Sequence, residues 1–151
     1  MNVCIVEKDI TEIELIKPLW KKLNIIHIHK SVNFKSKYEK FTFEKRIESI
    51  NKKAQNGILK LDVLLDNDTN TYVGYCLSSI EDDLGEIESI YIENQYRKFK
   101  LGDKLMKSAL NWFELNSITK IQINVVYAND EALPFYQHYG FHIGNYVLKR
   151  D

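Results

Sequence analysis

A mixed α+β architecture is expected of this 151-residue chain on three grounds. Residues 86–92 (EIESIYI) alternate, with Ile87, Ser89 and Tyr91 set against Glu88, Ile90 and Ile92, which is the period of a β-strand. Behind a polar, basic turn, Leu101, Leu105, Ala109 and Trp112 recur at helical spacing, and Met106, Leu110 and Phe113 widen the stripe. A second strand follows at residues 121–126 (IQINVV), and an intervening helix implies that it runs parallel to the first.

Taken in order, Asn2–Val6 is a short β-branched run and a first strand. Thr11 is a helix N-cap candidate with Glu14 at the capping-box position, and Leu15, Ile16, Leu19, Leu23 and Ile26 give the stripe of a helix that starts or bends near Pro18. Residues 29–41 are polar with scattered aromatics, as in an irregular loop. Thr42 caps a second helix carrying Phe43, Ile47 and Ile50, which Asn56-Gly57 ends. Leu59–Leu65 and Tyr72–Ile80 are strands around the loop 66–70, and residues 81–85 form another turn. A final helix and strand complete the order, which is that of mixed α+β domains. No linker-like stretch divides the chain, so a single domain spanning 1–151 is expected.

Composition narrows the function. A hydrophobic fraction of 44% is enough for a core without disulfides. Twenty-one basic and 21 acidic residues give zero formal charge, which argues against a nucleic-acid partner. No run is apolar enough for a bilayer or a signal peptide, so no membrane partner and a cytoplasmic location are expected. Cys4 and Cys76 have no metal-ligand spacing and read as reduced, buried residues within strands. No metal site is expected. The Ile, Lys and Asn content suggests a bacterial source with low GC content.

A strand, a basic turn and a helix start gather free backbone N–H groups and a positive dipole end at one point, which makes an anion site. The turn reads Arg97-Lys98-Phe99-Lys100-Leu101-Gly102, and a later stretch brings Asn129, Ala132, Phe135, Tyr136, Gly140 and Phe141. In this order and spacing the two resemble the phosphate turn, (Gln/Arg)-x-x-Gly-x-(Gly/Ala), and the Asn-x-x-Ala-x-x-Phe-Tyr…Gly-Phe signature of the GNAT superfamily of N-acetyltransferases. Lys100 replaces the central Gly of the first pattern, and Lys98 stands where another Gly is common. The resemblance implies a central, mostly antiparallel twisted sheet with helices on both faces, whose fourth and fifth strands are parallel and splay apart. It implies acetyl-CoA as cofactor. The pyrophosphate would lie against Arg97, Lys98, Phe99, Lys100, Leu101, Gly102 and Asp103, and the pantetheine arm along Ile90, Tyr91 and Ile92. Asn129 and Phe135 would complete the cofactor site.

The chemistry implied is direct attack of a primary amine on the thioester. Tyr136 would be the acid that protonates the departing sulfur, and Glu86 or Glu88 would be the base, directly or through water. Each residue also has a plainer reading: a half-buried aromatic for Tyr136, a helix cap for Asn129, a solvated strand start for Glu86 and Glu88. Asp82, Asp83, Glu86, Glu88 and Glu93 could form an acidic mouth for a cationic amine, while His27 and His29 would border the acceptor side and His138 and His142 would be structural or exposed. A small-molecule amine is the expected acceptor, and a homodimer is common in such folds. The alternatives are a catalytically degenerate acyl-CoA-binding module, another acyl group, or a peptide amine.

Overall fold

A computed structural model of the chain describes residues 1–150. Among the described residues five strands make one sheet: β1 (Val3–Lys8), β2 (Gly57–Asp66), β3 (Thr71–Glu81), β4 (Leu84–Ile92) and β5 (Lys120–Ile123). They lie side by side in chain order. The first four pair antiparallel, whereas β4 and β5 pair parallel because a helix connects them. The helices are α1 (Lys17–Lys30), α2 (Lys35–Lys40), α3 (Phe43–Asn56), α4 (Leu101–Leu115) and α5 (Leu133–Gln137). The expected mixed α+β order is therefore observed.

Strand alternation sends side chains to two separate cores. On one face, Leu61, Val63, Tyr75, Leu77 and Tyr91 meet Ile13, Ile16, Leu19, Trp20, Phe43 and Ile50 of the α1 and α3 side. On the other, Leu64, Cys76, Ile80 and Ile87 meet Leu101, Leu105, Met106, Ala109 and Phe113 of α4. Of the α4 stripe read from the sequence, Trp112 and Leu110 lie at the half-buried margin of that core.

Thr42 caps α3 as its sequence suggests, accepting from the Lys45 amide at 3.2 Å. Gly57 follows α3 and opens β2, where a Cβ would fall 1.9 Å from the Ile80 carbonyl oxygen, so the crossing strand excludes any side chain.

Four expectations need correction. The first helix is not capped by Thr11: the Asp9 carboxylate accepts from the Thr11 amide at 2.9 Å and starts a 3-10 helix over Ile10–Ile16. The α-helix proper begins at Lys17 with Pro18 in its first turn, where a missing N–H costs nothing. The expected loop at 29–41 contains the end of α1 and all of α2, held by the Asn24 amide donating to the Tyr38 carbonyl at 2.9 Å. No strand follows α5 among the described residues. Finally, Cys4 is exposed rather than buried; Cys76 is buried, and both are free thiols.

Candidate functional site

The parallel pairing of β4 and β5 runs only from Leu84↔Lys120 to Ile87↔Ile123, although β4 continues to Ile92. On its other side β4 stays paired with β3 through Gly74↔Ile92. The split has a local cause. Leu77 faces Ser89 and Ser78 faces Ile87, so Glu88 is an extra residue in β4, and such a bulge bends and twists its strand. Beyond the bulge, the side of β4 that faced β5 runs free of that neighbour along Ser89, Ile90, Tyr91 and Ile92. A main chain released in this way offers strand-type hydrogen bonds to an extended ligand.

Below the end of β4 the chain makes a 3-10 turn at Asn94–Tyr96 and then enters α4. Lys98 and Lys100 have φ of 72° and 61°, in the left-handed region where glycine is at ease. The turn thus keeps the glycine conformation with lysines in it, at a cost of roughly 1–2 kcal/mol for each. No side chain caps the N-terminus of α4. Its first amides are therefore unclaimed, and lysines beside a positive dipole end are unfavourable unless an anion joins them.

Arg97 is otherwise engaged: its Nε donates to the Ile92 carbonyl at 2.8 Å and its guanidinium lies 5.4 Å from the Tyr91 ring centroid. Phe99 is exposed and Leu101 is buried in the core beneath the turn. At Gly102 a Cβ would come within 3.1 Å of the Phe135 ring, so this glycine lets α5 close over the start of α4. The Asp103 carboxylate accepts from the Tyr139 hydroxyl at 2.6 Å and pairs with Lys107 at 2.9 Å. The Tyr139 hydrogen bond holds its pKa below the usual carboxylate range.

The second motif forms a helix stop that aims an aromatic ring. Pro134 starts α5. The Phe141 amide donates back to the Tyr136 carbonyl at 3.2 Å across Gly140, whose φ is 88°. This is a left-handed C-terminal cap, for which glycine is the natural residue. The Phe141 ring then stands edge-on to Tyr136 at 6.4 Å, and Phe135 does so from the other side at 5.2 Å. Tyr136 belongs to the core cluster that includes Ile90, Ile92 and Ile123, the strands flanking the split. Among the described residues its hydroxyl has no hydrogen-bond partner, and burial pushes the phenol well above its ordinary pKa. The Asn129 side chain does not cap the 3-10 turn at Asp130–Ala132.

Glu86 and Glu88 lie on the opposite face, in a network that local sequence patterns do not announce. Arg46 of α3 donates to the Glu88 carbonyl at 2.9 Å and to its carboxylate at 3.1 Å. Lys53 reaches Glu88 at 2.5 Å and Glu86 at 3.2 Å, and the Ser79 hydroxyl donates to Glu88. Gln122 donates to Glu86 at 3.0 Å. The Glu88 side chain is 1% exposed. Arg46, Lys53 and Ser79 thus hold both carboxylate oxygens of Glu88, and neither is left to face an amine. One signal was available: Arg46 and Lys53 are seven residues apart and so share a helix face, opposite carboxylates two apart on a strand.

The remaining candidates scatter. Glu93 pairs with Lys22 at 2.5 Å, and Asp82 and Asp83 are exposed in the β3–β4 turn, so the five acidic residues form no single mouth. His27 is half-buried with its ring 5.7 Å from Tyr38, and burial, then Arg46, lowers its pKa. Two surface cavities, of about 380 and 300 Å³, are lined by residues within 17–44 of the α1–α3 side, away from the β4–β5 split.

The sequence model of the Acetyltransferase (GNAT) family matches residues 24–141. The chain belongs to that family. No curated protein matches it in sequence, but solved structures share its fold. The PaiA N-acetyltransferase of Thermoplasma acidophilum, solved with coenzyme A, superposes with a TM-score of 0.72 at 20% identity, over 97% of this chain and 94% of that one. The aminoglycoside N-acetyltransferase AAC(6')-Iy, solved with a bisubstrate analogue, gives 0.72 at 13% identity over 100% and 98%. Glucosamine-6-phosphate N-acetyltransferase of Arabidopsis thaliana gives 0.67 at 16% identity over 100% and 99%.

Proposed function

We propose that this GNAT chain is an acetyl-CoA-dependent N-acetyltransferase acting on a primary amine of a small molecule. The observation that carries the reading is the parting of β4 from β5 after Ile87↔Ile123, above the uncapped N-terminus of α4. An extended amide-bearing arm fits the first feature and a diphosphate fits the second. Bound coenzyme A supplies the acetyl group as a thioester whose sulfur leaves as a thiolate.

The chain's own groups divide the remaining work. Main-chain groups of Ile90, Tyr91 and Ile92 hold the arm and orient the carbonyl. The amides of Leu101, Gly102 and Asp103, with Lys98 and Lys100, neutralise the diphosphate. In this reading the Asn129 side chain, which caps no helix, holds the arm. Tyr136 keeps its proton at neutral pH because burial disfavours the phenolate, and it delivers that proton to sulfur. With Glu86 and Glu88 bound to Arg46 and Lys53, the attacking amine loses its proton through water, or to another group. Small amines are the favoured acceptors, since AAC(6')-Iy and glucosamine-6-phosphate N-acetyltransferase are named for them.

Thermal unfolding with and without saturating acetyl-CoA tests the binding half. Ligand at about 100 times its dissociation constant adds roughly 2.7 kcal/mol, a shift of several degrees at roughly 2–4 °C per kcal/mol. Amine-dependent thiol release over a panel of amino sugars, polyamines and arylalkylamines then tests transfer. A protein that acetyl-CoA stabilises but that shows no amine-dependent thiol release with any acceptor would be a binding module. No shift at all would end the acetyl-CoA reading.

A further inference from the structure

We propose that Tyr96 and Asp66 are a positioning pair for the turn before α4: the hydrogen bond between them holds Lys98 and Lys100 in left-handed backbone, so the turn keeps a shape that glycines would otherwise supply. The first observation is that this turn does not hold itself. Lys98, Phe99 and Lys100 are exposed. Among the described residues their side chains form no hydrogen bond or ion pair, and their amides reach no acceptor. Yet Lys98 and Lys100 stand at φ of 72° and 61°, a region that is costly for any residue with a Cβ. Strain of this kind persists only where the surroundings impose it.

The second observation is what imposes it. Downstream, Leu101 is buried, Gly102 lies under the Phe135 ring and Asp103 is bound by Tyr139. Upstream, Arg97 reaches back only to β4, whereas the Tyr96 hydroxyl crosses to β2 and donates to Asp66 Oδ2 at 2.5 Å. Asp66 is a fixed post. It ends an interior strand, opposite Val3 of β1 and Thr71 of β3, and it is 6% exposed. Its other oxygen accepts from the Asp68 amide at 2.9 Å. The bond holds the Asp66 carboxyl below its ordinary pKa and the Tyr96 phenol above its own, so acceptor and donor keep their forms at neutral pH. The Tyr96 ring packs at the margin of the α4 core.

Residues 97–100 therefore bridge two fixed points, Tyr96 and Leu101, and a connection this short has little freedom once both ends are set. Without the Tyr96 hydroxyl the upstream point is lost. The lysines then relax to ordinary backbone, and the amides of 98–100 turn away from the start of α4. Shape comes to this turn from outside it, which leaves its side chains free to supply charge. The consequence for a diphosphate rests on the acetyl-CoA reading above, but the tether itself does not.

Tyr96→Phe removes one hydroxyl, keeps the ring and leaves Asp66 its Asp68 amide, so the fold should survive it. Brief trypsin treatment of the free protein, with the cuts located by mass spectrometry, is the first measurement. Cleavage after Arg97, Lys98 and Lys100 should rise about fivefold or more, while cuts elsewhere stay within about twofold of the parent. An unchanged turn overturns the proposal, and so does a rise at every site, which is general loss of stability. The second measurement is acetyl-CoA affinity by calorimetry, in the parent and in a Lys98→Gly/Lys100→Gly background. Tyr96→Phe should weaken binding about tenfold beside the lysines but less than about twofold beside the glycines, which take left-handed backbone unaided. Equal losses in both backgrounds overturn the proposal, since the hydroxyl would then act other than through the turn. A parent that binds no acetyl-CoA defeats the acetyl-transfer reading instead, and the trypsin result then decides the tether.

Discussion

Against one face of the sheet lie a 3-10 turn and the helices α1 and α3, with α2 packed on α1; against the other lie α4 and the five-residue α5. The α4 face is nearly all apolar, with Leu105, Met106 and Phe113 at 0% exposure. Two buried charges lie there: Asp62 takes the Ser108 hydroxyl at 2.7 Å and sits 3.1 Å from Lys60, and Asp66 takes the Tyr96 hydroxyl at 2.5 Å. The α3 face instead buries a charged cluster, with Arg46 and Lys53 gripping Glu86 and Glu88 where β4 bulges and leaves β5. One face fills space and presents the turn before α4. The other fixes, through charge, the point at which the sheet opens.

The largest effect should come from the apolar face. Phe113→Ala removes a fully buried ring under β4 and should cost about 4 kcal/mol, read from denaturant midpoints. A cost under about 1 kcal/mol would mean that this core is loosely packed. On the charged face, Arg46→Leu leaves Glu88 with less compensation and should cost about 3 kcal/mol. A cycle with Glu88→Gln should recover much of that loss, since the cluster is coupled, and simple additivity would break the picture of a clamp. Tyr136→Phe returns to the cofactor side. It should lower turnover roughly 100-fold with little change in acetyl-CoA affinity, and an equal loss in both would recast Tyr136 as a packing residue.

Smaller effects sharpen the contrast further. Lys100→Gly should stabilise the free protein by about 1 kcal/mol by relieving a left-handed backbone (φ 61°) while removing a charge from the proposed diphosphate site. Stability and acetyl-CoA affinity should therefore move in opposite directions. The smallest effect concerns pH. Burial lowers the His27 pKa from 6.5, so the unfolded chain binds that proton more readily, and stability should fall as pH drops below about 6.5. His27→Gln should flatten that limb.

How much of this could be read from residues alone follows the same division. The β4–α4–β5 unit was legible because period and turn chemistry are local, and Asn129 to Phe141 sits at fixed offsets from it. The split of β4 from β5 was implied by resemblance; its cause, the bulge at Glu88, depends on pairing with β3 and leaves no mark in the strand pattern. Glu86 and Glu88 looked like accessible bases because they share a strand face. Their partners come from α3, more than thirty residues away, and no window contains both. Thr11 lost to Asp9 as the cap because a 3-10 start shifts the frame by two residues. The segment after α5 reads as a strand by composition, yet it makes no regular element among the described residues.

The two thiols differ in a way that sets how the protein can be probed. Cys76 is walled into the sheet, where burial pushes its thiol up to about 12, so it is almost never a thiolate at neutral pH. Cys4 is exposed on β1, beside the Asn67 side chain. Maleimide chemistry should therefore place one dye per chain, at the sheet edge opposite β5.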